Sequence, residues 1–138
     1  VAVTFTIDTS EIDAAAAALL GLAEPRAIAP LVPTLDSIAR DIARVMAVYP
    51  PERPGSSYVR TGDLGRGWRV EDGRYLEGGY VVTASNAVEY APWVQGDDQA
   101  WMHVGRWDTI GDAEKELTDP AAEQIADAVH ALYAQVGR

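Results

Sequence analysis

Apolar and polar positions alternate at the start of the chain. Val1, Val3, Phe5 and Ile7 fall on one side and Ala2, Thr4 and Thr6 on the other, which predicts a half-buried strand over residues 1–7. Ser10 with Asp13 three residues later resembles a capping box. The alanine-rich run behind it predicts a helix to about residue 22, ended by Glu24-Pro25. Leu31, Leu35, Ile38, Ile42 and Val45 then recur at spacings of four and three, with Asp36, Arg40, Asp41 and Arg44 off the stripe. That pattern predicts a core-facing helix over residues 33–48, started by Pro33 or Thr34 and stopped by Tyr49-Pro50-Pro51.

Residues 49–57, YPPERPGSS, read as an irregular connector, because three prolines and Gly-Ser-Ser suit neither a ladder nor a helix interior. Strands are expected over residues 64–70 and 79–85, joined as a hairpin through EDGRYLEGG. Residues 88–94 contain Pro92 and read as either an edge strand or a short turn-like segment. Residues 95–99 form a loop, and 101–107 read as a further short strand. Asp119-Pro120 predicts the start of the last helix, with Ile125, Val129, Leu132 and Val136 as its apolar stripe up to Gly137. No repeat or linker interrupts the chain. The expectation is a single domain over residues 1–138: an α+β fold whose central antiparallel sheet of about four strands carries N-terminal helices and a C-terminal helix.

Charge changes the picture more than length does. The 138 residues carry a formal charge of −10, and the bases are ten arginines and Lys115. A body this acidic does not grip duplex DNA by neutralising many phosphates. The charge is uneven: residues 26–74 hold eight arginines against six acids, while 75–138 hold eleven acids against three bases. This distribution hints at complementary contacts between copies of the chain. There is no cysteine, which removes disulfides, thiolate metal sites and cysteine nucleophiles. The run over residues 14–23 is too short to span a bilayer, and no secretory signal is visible, so a soluble, intracellularly made chain is expected.

Candidate chemistry is sparse. His130 follows Asp127 by three residues, too few ligands for a metal. His103 has the residue type of a general base, but no serine or threonine near it sits in a nucleophile motif. TGDLGRG over residues 61–67 can cradle phosphate, although a turn needing positive φ explains its glycines better. Asp97, Asp98, Asp112, Glu114 and Glu116 follow no calcium-loop pattern. No catalytic, cofactor or metal residue is therefore assigned. The aromatic residues are more informative: all four tryptophans lie between residues 68 and 107. Trp, Tyr and Arg anchor protein interfaces. The interface candidates are Arg60, Tyr90, Trp93, Trp101, His103, Arg106 and Trp107.

Three runs carry a resemblance: YPPERPGSSYVRTGDLGRGWRV, GGYVVTASNAVEYAPWVQG and QAWMHVGRWDTI. Within them stand Tyr58-Val59-Arg60-Thr61-Gly62 with Leu64, Asn86 with Tyr90-Ala91, and His103 with Gly105-Arg106-Trp107. Over about 60 residues in the middle of the chain, this resembles the small tail-component proteins of tailed bacteriophages and prophages, the tail-completion or head–tail joining family. The resemblance implies a structural virion protein without an active site, in which Arg60, Gly62, Tyr90, Arg106 and Trp107 serve fold or interface. It implies copies of the chain in a ring, taken as sixfold, between head–tail connector and tail-tube proteins. DNA would be passing cargo only, and an acidic lumen would let it slide. The implied location is the neck or tail end of the virion, with host cytoplasm during assembly. The sequence departs from the family at Gly67, where a small hydroxyl residue is expected. The competing expectation is a small intracellular enzyme or ligand-binding domain using the His103/Arg106 region.

Overall fold

In the computed structural model the described residues are 3–8, 29–76 and 79–136. The elements run β1 (Val3–Asp8), a 3-10 turn (Ala29–Leu31), α1 (Val32–Met46), α2 (Asp63–Arg66), β2 (Trp68–Leu76), β3 (Gly79–Asn86), α3 (Ala91–Gln95) and α4 (Ile110–Val136). Among the described residues the sheet has three strands in the order β1-β3-β2, all antiparallel. The fold is mixed helix and sheet as expected, but with three strands rather than about four. The expected helix over residues 10–22 lies outside the described residues.

Strand β3 is central, pairing Val3↔Asn86 on one side and Trp68↔Asn86 on the other. Its alternate residues Tyr80, Val82, Ala84 and Asn86 are buried, as the period of two demands. They meet the α1 stripe of Leu35, Ile38, Ala39, Ile42 and Met46. Helix α4 covers α1 in turn through Leu117, Ala121, Ile125, Ala128, Val129 and Leu132.

Three sequence expectations are corrected and one pair of alternatives is decided. The strand expected over 64–70 begins at Trp68, because Gly62 turns the chain at φ 80° and α2 follows. Hydrogen bonding of the Asp63 N–H to Thr61 Oγ1 and of Arg66 to Asp63 holds that turn. The expected turn EDGRYLEGG is mostly ladder: β2 continues to Leu76, with Tyr75 packed edge-on against Tyr80 at 5.3 Å. Of the two alternatives for residues 88–94 the edge strand falls away and the turn-like one stands, as a turn running into α3; Pro92 lies in the first turn of α3, where its missing N–H is not needed. Residues 101–107 are successive turns, with Gly105 at φ 72° and the Arg106 and Trp107 N–H groups both donating to His103 O.

The last helix also starts earlier, at Ile110 rather than at Asp119-Pro120. Thr109 and Asp112 form a reciprocal capping box: Thr109 N–H donates to Asp112 Oδ2 at 2.9 Å and Asp112 N–H donates to Thr109 Oγ1 at 3.2 Å. Pro120 sits inside α4. The apolar series Ala113, Leu117, Ala121 and Ile125 crosses it unbroken, so packing outweighs a helix-breaking cost of about 3 kcal/mol.

Two buried polar side chains lock the site-bearing loops onto this core. Gln95 Nε2 donates to Met46 O at 2.7 Å, and its Oε1 accepts from Trp68 Nε1 at 3.0 Å. Asn86 Nδ2 donates to Leu64 O at 2.7 Å, and its Oδ1 accepts from Val88 N–H at 3.0 Å. Gly67 lies against this asparagine: a Cβ there would stand 2.5 Å from Asn86 Oδ1, which explains why no hydroxyl residue occupies the position.

Candidate functional site

The connector after α1 and the segment between α3 and α4 meet over Pro50 and Pro51. Proline donates no backbone hydrogen bond, but its carbonyl still accepts one. Arginines satisfy these carbonyls: Arg60 Nη1 donates to Pro50 O, Arg60 Nη2 to Pro51 O at 3.3 Å, and Arg106 Nη2 to Pro51 O at 2.9 Å. Arg53 Nη2 crosses the other way to Met102 O at 2.9 Å. The Arg60 guanidinium also lies over Tyr49 at 5.5 Å and Trp107 at 5.8 Å, and those two rings pack edge-on at 5.0 Å. Tyr49 OH accepts from Gly65 N–H at 2.9 Å, which ties the cluster to α2. Gln99 Nε2 donates to Val94 O and to Trp107 O, closing the loop between α3 and the turns.

Above this floor opens a cleft of about 240 Å³. Its walls include Tyr58, Arg60, Tyr90, Trp93, His103 and Arg106, and no carboxylate lines it. A second hollow beside it is lined by Arg53, Tyr58, Arg60, His103 and Arg106, with Glu52 as its one carboxylate. In a chain of net −10 this is a local concentration of positive charge. The aromatic walls stand open: Tyr58 is 71% exposed, Trp93 58% and Trp101 83%. Val59, Met102 and Val104 are exposed as well.

His103 packs edge-on against Trp107 at 6.5 Å. Its Nδ1 is buried without a hydrogen-bond partner. Burial, then the Arg106 and Arg53 guanidinium charges, hold the imidazole below the ordinary histidine value and so favour its neutral form. The one carboxylate lining the two hollows, Glu52, shares the second with His103 but makes no hydrogen bond to its Nδ1. Among the described residues, no three His, Cys, Asp or Glu side chains are grouped to hold a metal. The TGDLGRG segment is a turn and a four-residue helix in which Arg66 is held by Asp63 at 2.7 Å and Thr61 O at 2.8 Å.

Six of the seven interface candidates therefore share one cleft: Arg60, Tyr90, Trp93, His103, Arg106 and Trp107. Trp101 lies outside its lining, at the exposed tip of the turns beside Met102. Sequence reasoning missed Tyr49, Gln95 and Gln99. Tyr49 had a signal, an aromatic directly before Pro-Pro; the two glutamines sat in what read as a loop and had none.

Comparison of the chain with family models, with curated proteins and with solved structures finds no match. No helix among the described residues is long and apolar enough to cross a membrane.

Proposed function

We propose that the chain is a structural assembly subunit, acting in tail completion or head–tail joining of a long-tailed bacteriophage or prophage as a member of a ring. One observation carries the reading: Tyr58 and Trp93 stand in water on the walls of the cleft organised by Arg60 and Arg106, and Trp101 stands in water on the adjoining turn, where Ala100 N–H donates to Trp93 O and Met102 O accepts from Arg53. Exposed Tyr and Trp beside oriented arginines are the residue types that anchor protein interfaces. The same residues 49–107 carry the resemblance to tail-component proteins. Such a role needs no active site, and the location that goes with it is the neck or tail end of the particle. Deleting the coding sequence from the phage or prophage tests it. Heads and tails that fail to join are expected in electron micrographs, and infectious particles of normal yield would overturn the reading.

The unpartnered His103 Nδ1 and the 240 Å³ cleft favour a second reading, a small ligand-binding or enzyme domain. Under it, His103→Gln abolishes ligand binding or turnover and leaves particle assembly intact. Under the first reading the deletion phenotype is structural.

A further inference from the structure

Helix α4 carries an outer face unlike the rest of the molecule. Asp112, Glu116, Asp119, Glu123 and Asp127 follow one another at spacings of four, three, four and four, so they form one stripe about 22 Å long. All five are exposed, while Ala113, Leu117, Ala121 and Ile125 pack on the opposite side. Among the described residues the two ion pairs are Asp41–Arg44 and Asp63–Arg66, and neither touches the stripe. The Arg53/Arg60/Arg106 face has the opposite character. Its arginines donate to carbonyl oxygens, which orient the guanidinium groups without cancelling their charge.

We propose that the aromatic face of one copy, built on Arg53, Arg60 and Arg106 with Tyr58, Trp93 and Trp101, docks on the acidic α4 stripe of a second copy. This contact rests on the ring-subunit reading and gives that ring its direction. Charge complementarity selects the occupant: the face sets Arg53, Arg60 and Arg106 against one lining carboxylate, Glu52, and α4 supplies five carboxylates in a row. Open aromatic surface supplies the apolar area that a stable contact needs beside charge. The two surfaces are different parts of the chain, so the contact is head-to-tail. A bound pair leaves one face and one stripe free, and association continues until it closes or forms a filament.

Two double variants test this: Trp93→Ser with Trp101→Ser removes the face, and Glu116→Arg with Glu123→Arg reverses the stripe. All four residues are exposed, and thermal unfolding checks that each variant folds. Light scattering after gel filtration, over a concentration series, reads the mass. The unaltered protein is expected to assemble beyond a dimer. Each variant alone is expected to lose about tenfold or more in association constant. Their equimolar mixture forms a dimer and stops there, since it joins one intact face to one intact stripe. A stripe variant that assembles like the unaltered protein would overturn the proposal in favour of face-to-face pairing. A protein that stays monomeric at the highest concentration would overturn it in favour of a different partner. Either failure leaves the deletion phenotype of the particles to decide the ring-subunit reading separately.

Discussion

The helix–sheet half and the arginine–aromatic half of this molecule use the same residue types for opposite ends. In the core, Trp68 is buried and its indole N–H is spent on Gln95. On the face, Trp93 and Trp101 are open to water. In the core, Leu35, Ile42 and Val82 gain stability by leaving water, each worth roughly 1.5–3 kcal/mol when fully buried. On the face, arginine hydrogen bonds to Pro50, Pro51 and Met102 fix the backbone, while apolar surface stays exposed. The lesson is that order and burial are separable. A loop region can be held in shape by cation–carbonyl and cation–π contacts and still leave its aromatic area open to water.

The comparison breaks most visibly in the core. Leu35→Ala or Ile42→Ala is expected to cost about 2–5 kcal/mol in denaturant unfolding, because both side chains are fully buried and leave a cavity. Gln95→Ala should come next, at about 2–4 kcal/mol, since it strands the Met46 carbonyl and the Trp68 indole N–H in the interior. Arg60→Met removes two hydrogen bonds and its contacts with two rings. About 1–2 kcal/mol is expected, with a change in the near-ultraviolet circular dichroism of Trp107. Trp101→Ser should change stability by less than about 0.5 kcal/mol while weakening association.

The smallest effect is that of pH at His103. Its proton affinity is lowered by folding, so the unfolded chain binds more protons near the ordinary histidine value of 6.5. Stability contributed by the neutral ring is present above that value and declines as the pH falls below it. His103→Asn should flatten the unfolding midpoint against pH between about 5 and 7. An unchanged slope would remove His103 from the account.

The regular half of the fold was legible because periodicity is local. The four-and-three spacing from Leu31 to Val45 gives α1 within two residues at its C-terminal end, and the β-favouring run Tyr80, Val81, Val82 and Thr83 gives β3. Misreadings cluster where a local signal was outvoted from a distance. Asp119-Pro120 looks like a helix start, yet Thr109 and Asp112 cap the helix earlier and packing carries it through the proline. Residues 101–107 read as a short strand, yet no neighbouring strand pairs with them among the described residues, and Gly105 turns them back. Composition picked out the aromatic–arginine face but not its floor. The Arg60 and Arg106 contacts with Pro50 and Pro51 join residues up to 55 positions apart, and no spacing rule reports such a pair.

The central claim is that the face spends its apolar surface on assembly and not on folding. The most direct measurement is the paired mass and melting temperature of the Trp93→Ser, Trp101→Ser variant beside the unaltered protein. The expected result is a loss of assembled mass at high concentration and an unchanged melting temperature at a dilution where both proteins are monomeric, since association itself raises the melting temperature. A lowered melting temperature with the mass unchanged would contradict it, and would return both tryptophans to the core.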